Sequence, residues 1–76
     1  MNKARRKSIE EITNKIYELK EKIEMLQDEE QEYFDNMPEN LQGSERGEIA
    51  ENAIGSFGEA IDYLENAIES LDTAAE

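Results

Sequence analysis

From residue 52 the chain repeats itself every seven residues: NAIGSFG, EAIDYLE, NAIESLD, then TAAE. Ile54, Ile61, Ile68 and Ala75 fall at position a of a heptad, and Ala50, Phe57, Leu64 and Leu71 fall at d. That spacing belongs to an α-helix that lays one stripe against another helix. Alanine takes every g position, at 53, 60, 67 and 74. The row widens the apolar face to three residues per heptad and lets a neighbouring backbone come close along that flank. Ser44 is placed to cap this helix, with Glu45 and Glu48 in the first turn, where the helix dipole favours anions. The predicted span is about 45 to 73.

The first half carries the same pattern with larger residues. Ile9, Ile16 and Ile23 take a, and Ile12, Leu19 and Leu26 take d. The seam weakens at Glu30 (a) and Tyr33 (d). Ser8 followed by Glu11 reads as a capping box, so this helix is predicted from about 8 to 34, with a start as early as Lys3 allowed. Two helices of similar length and a short connection predict an all-α fold, a coiled-coil-like antiparallel two-helix hairpin forming one domain over residues 1–76. A turn centred near residue 40 pairs Leu26 with Ile54, Ile23 with Phe57, Leu19 with Ile61, Ile16 with Leu64, Ile12 with Ile68 and Ile9 with Leu71. The same register lays Arg5, Arg6 and Lys7 beside Asp72 and Glu76. Such a core is thin. Two hairpins pressed together on their alanine flanks make a four-helix bundle, so a homodimer is expected.

Charge narrows the functional classes. Acidic residues outnumber basic ones 20 to 8, for a net −12. Residues 1–22 carry a net +3 and residues 23–76 a net −15. This balance argues against direct nucleic-acid binding and against anionic membranes, and favours partners with basic surfaces. The basic start MNKARRK is accounted for by pairing with the acidic end of the chain. It is not followed by the apolar segment of a signal peptide, and no apolar run exceeds two residues. The expected location is cytoplasmic.

Catalysis has few candidates. Cys and His are both absent, which removes thiolate chemistry, the commonest general base and the commonest transition-metal ligand. Ser8, Ser44, Ser56 and Ser70 have no histidine to activate them. GSERG at 43–47 lacks the strand and lysine of a phosphate loop. DEEQE at 28–32 lacks the geometry of an EF-hand. No enzyme, no metal and no cofactor is expected. Gly55 and Gly58, at b and e, each cost about 1 kcal/mol relative to alanine in a helix. They mark either exposed drift, or a place where the helix bends or a partner's backbone approaches.

Between the helices stands YFDNMPENLQGSERGE, residues 33–48. Asn36 and Pro38 end the first helix, PENLQ suits a short helical turn, Gly43 allows a left-handed residue, and Met37 and Leu41 fold under the turn with Tyr33 and Phe34. The longer stretch EQEYFDNMPENLQGSERGEIAENAI resembles a family of short, acidic, uncharacterised bacterial proteins, many encoded by phages and mobile elements of Gram-positive gut bacteria. The resemblance covers roughly Leu26 to Leu71, and the junction is its specific part. It implies an accessory cytosolic helical hairpin and no activity.

The junction is more particular than a chain reversal requires, which makes Tyr33, Phe34, Asn36, Leu41 and Arg46 the expected partner-contacting end. The first functional reading is a non-catalytic interaction protein, binding itself and an unidentified protein. The alternative is an acidic inhibitor that imitates nucleic acid, as small phage proteins of anti-restriction and anti-CRISPR kinds do. Its site would be the outer carboxylates Glu51, Glu59, Asp62, Glu65, Glu69 and Asp72, in a helix with almost no compensating Lys or Arg.

Overall fold

Residues 3–35 contain neither glycine nor proline, and a single helix, α1, runs through all of them (Lys3–Asp35) in the computed structural model, which describes Met1–Glu76. Its N-cap is Asn2, whose Oδ1 accepts from the Arg5 backbone N–H at 2.8 Å. Ser8 therefore lies inside the helix, not at its start, and its hydroxyl donates to the Ala4 carbonyl at 3.2 Å. Asn36 closes the other end, donating its backbone N–H to the Glu32 carbonyl at 3.0 Å. Pro38 begins a one-turn helix, α2 (Glu39–Gln42), and Ser44 caps α3 (Glu45–Ala74) by accepting from the Gly47 N–H. There is no strand.

The reversal between α1 and α3 is braced by Gln42. Its side-chain amide donates to the carbonyls of Phe34 and Met37, each at 3.2 Å, and so ties the last turn of α1 to the turn residue that follows it. Met37 is the plug of the turn at 8 % exposure, with Phe34 half-buried beside it, whereas Leu41 and Tyr33 stay outside at 38 % and 46 %. Gly43 does not use left-handed space: its φ is −86°, and no residue has positive φ. The glycine that matters is Gly47. A Cβ there would run into the Gln42 carbonyl and stand 2.8 Å from the Gln42 Cα. The first turn of α3 thus closes directly onto the backbone of α2.

α1 and α3 lie side by side in opposite directions. Three bonds fix the register: Arg6 Nη2 to the Glu76 carbonyl (3.5 Å), Lys20 Nζ to Glu65 Oε1 (3.1 Å) and Gln27 Nε2 to the Ile54 carbonyl (3.2 Å). The molecule is a rod, with Cα extents of 58 × 15 × 12 Å. Its radius of gyration is 17.3 Å, against about 11 Å for a compact domain of this length.

The rotation of α1 about its axis differs from the expected a/d seam. Its covered positions are Ile9, Thr13, Ile16, Lys20, Ile23, Gln27, Glu30 and Phe34, which is an a/e alternation, with Glu24 at b half-covered beside Lys20. The d residues expected in the core are half exposed: Ile12 49 %, Leu19 52 % and Leu26 48 %. The cause lies in the e row. Lys20 and Gln27 each bond across to α3, and Phe34 anchors the turn. Thr13 is drawn inside with them, at 7 % exposure, and its Oγ1 has no hydrogen-bond partner. On α3 the expected face holds, with Ala50 and Ile68 buried and Ile54, Phe57, Ile61, Leu64 and Leu71 half-buried. The basic start makes no ion pair with Asp72 or Glu76; both ion pairs belong to Lys20, with Glu65 and with Glu24 at 3.6 Å.

Candidate interaction surface

Lys20 and Glu65 both occupy e, and so do Gln27 and Gly58. One edge of the helix pair is therefore e against e. In an antiparallel pair the g positions then share the opposite edge, and the d row of α1 adjoins it. This second edge carries Ile12, Leu19, Leu26 and Tyr33 from α1 beside Ala53, Ala60, Ala67 and Ala74 from α3, with the g residues of α1, Lys15, Lys22 and Glu29, exposed along its outer margin. The large residues are about half exposed, and no large side chain anywhere in the chain is fully buried.

The edge ends at the turn in an open cavity of about 420 Å³ lined by Glu30, Tyr33, Glu45, Arg46, Ile49 and Ala50. Of the five residues expected at the partner-contacting end, the structure brings Tyr33 and Arg46 together here. Phe34 is turned inward, its carbonyl held by Gln42; Asn36 is spent as the cap of α1; Leu41 lies on α2 outside the cavity. Sequence reasoning missed Ile49, which is 61 % exposed. The signal was available: Ile49 stands at c, outside the a/d/g pattern, where an isoleucine has no place in the helix's own seam.

The e edge is polar and closed. Gly58 lies where a side chain would crowd the Gln27 amide, the nearest atom to its would-be Cβ at 3.3 Å. The absent side chain leaves room for Gln27 to reach the Ile54 carbonyl, and α3 runs unbroken through both mid-helix glycines. Gly55 faces open space. The hydrogen bond to Glu65 is the main cause that raises the Lys20 ammonium above the ordinary lysine value, aided by the charges of Glu65 and Glu24 and opposed by desolvation.

Beyond this edge, Glu51, Glu59, Asp62, Glu65, Glu69 and Asp72 are all exposed on the e, b and f positions of α3. Only Glu65 meets a cation. Asp72 borders a second notch, of about 380 Å³, with Arg6, Glu10, Thr13 and Asn14. No three carboxylates converge in a way that could hold a metal ion, and no helix is long and apolar enough to cross a membrane. α3 thus presents carboxylates on one side and an alanine row on the other.

Comparison of the chain with protein-family models, with curated proteins and with solved structures gives no match.

Proposed function

We propose that this chain is a non-catalytic interaction protein: an antiparallel helical hairpin that pairs with a second copy into a four-helix bundle and binds another cytoplasmic protein through its turn end. The observation that carries the reading is the exposed row Ile12, Leu19, Leu26 and Tyr33 in a chain with no fully buried large side chain. A two-helix core of this kind supplies only a few kcal/mol of stability, and covering the row on both copies adds to it. Tyr33 and Arg46, with Ile49 beside them, offer the aromatic, cationic and aliphatic groups that anchor protein partners. The resemblance of the 33–48 junction to short acidic phage and mobile-element proteins fits an accessory role of this kind.

The test is sedimentation across a range of concentrations, joined to capture of binding proteins from a host lysate. A dimer is expected, together with a partner that survives high salt and is lost with Tyr33→Ala or Arg46→Glu. A monomer at all concentrations overturns the bundle.

The acidic-mimic reading is supported by one observation of its own, the five outer carboxylates on α3 that no cation neutralises. Under it, the captured protein binds DNA, is released by modest salt, and is displaced by added duplex.

A further inference from the structure

The apolar edge can receive a second copy in two symmetric ways, and the two differ in what each helix meets. With the two-fold axis along the rod, both turns lie at the same end and α1 of each copy packs on α3 of the other. With the axis across the rod, the turns lie at opposite ends, and α1 packs on α1 and α3 on α3.

Size separates the two. In the first arrangement the Ile12–Leu19–Leu26–Tyr33 row meets the partner's alanine row, large against small, and all four helices keep even spacing. In the second, alanine meets alanine on one side and leucine meets leucine on the other, which splays the layers.

Charge separates them in the same direction. α3 carries eight acidic residues and one arginine, whereas α1 carries ten acidic and seven basic residues. Packing α3 on α3 brings two strongly acidic helices together. Packing α1 on α3 lays the cations of residues 3–22 along the acidic C-terminal half of the partner. The rod's broad face spans 58 × 15 Å between Cα extremes, which bounds a full-length interface near the roughly 800 Å² per partner of a standard stable one.

We propose that the second copy lies turn beside turn, α1 on α3, so that the partner-binding end is built from both copies, with Tyr33 of each standing against the partner's Arg46. This rests on the dimer argued above and specifies it. Tyr33 closes the d row at the turn end and Arg46 opens the g row there, so a two-fold axis along the rod brings ring and guanidinium together across the interface. The cavity at Glu30, Tyr33, Arg46 and Ile49 is then half of a site that is complete only in the dimer.

The chain has no cysteine, so one substitution gives a unique probe. Asn40→Cys lies on exposed α2, at one end of the rod. Spin labels there, read by pulsed dipolar spectroscopy on the full chain, give the distance between the two turns. Turn-beside-turn packing predicts a separation of about 20–30 Å, from helix spacings of about 10 Å plus the label arms. A dimer with labels near the rod length of 58 Å overturns this arrangement and leaves the bundle standing. A labelled protein that sediments as a monomer overturns both.

Discussion

Along the edge where the e positions meet, α1 and α3 are joined by side chains with named partners: Lys20 to Glu65, Gln27 to the Ile54 carbonyl, and Gly58 making room for the latter. Along the opposite edge no hydrogen bond or ion pair joins the two helices, and Ile12, Leu19, Leu26 and Tyr33 stand about half exposed beside the alanine row. The polar edge sets the register within one chain. The apolar edge is free to meet something else. Polar bonds between helices are individually weak, but they are directional, and here they decide which way α1 is rotated. Hydrophobic residues are non-directional and accept whichever covering arrives.

Making the apolar edge wet should have the largest effect. Leu19→Lys with Leu26→Lys removes two half-buried leucines per copy from the proposed interface, worth about 3 kcal/mol or more. Sedimentation should then show dimer association weakened by at least about 100-fold, with helical circular dichroism retained in the monomer. The same pair of substitutions leaving the dimer intact would show that this edge is not the interface.

On the polar edge the weak point is Thr13, whose Oγ1 is buried without a bond. Thr13→Val keeps the shape and removes the unsatisfied hydroxyl, so denaturant unfolding should show a gain of about 1–2 kcal/mol. The mid-helix glycines give a smaller contrast. Gly55→Ala enters open space and should stabilise by about 0.5–1 kcal/mol. Gly58→Ala should gain less, since its new methyl presses on the Gln27 amide. Equal gains in thermal melts would remove the role assigned to Gly58.

The smallest effect belongs to Lys20. Its ammonium is raised above the ordinary lysine value by the bond to Glu65, so the folded chain holds that proton more tightly than the unfolded one. The stabilisation is complete below the ordinary lysine value and disappears as pH climbs through the raised one. Melting temperatures of the wild type and Lys20→Gln should differ slightly at neutral pH and converge in strong alkali.

The heptads of residues 50–75 read directly into the buried face of α3, because there every covered position is apolar or glycine. The a row of α1 was equally legible. Its e row was not: Lys20 and Gln27 look like solvent residues until their acceptors on α3 are known, 27 to 45 residues away, and Thr13 goes inside with them without an acceptor of its own. The d row was misplaced for the same reason, since an isoleucine at d fits an inner seam and an outer interface equally well. The turn was legible in its residues but not in its geometry. Gly43 carried the expected turn signal, whereas Gly47, inside the helix, is the one that a side chain would spoil.

The brace at Gln42 closes one end of the rod, and across the other end the one hydrogen bond between the helices runs from Arg6 to Glu76. A chain built this way forms its short-range contacts first and extends them outward, since closing a loop of a few residues is fast and each later layer is then adjacent to one already made. Opening should run the reverse course, from Lys3 and Ala74 inward. Amide protons would accordingly exchange in a gradient along the rod, fastest at the two termini and slowest in the helical turns beside Phe34 and Ala50.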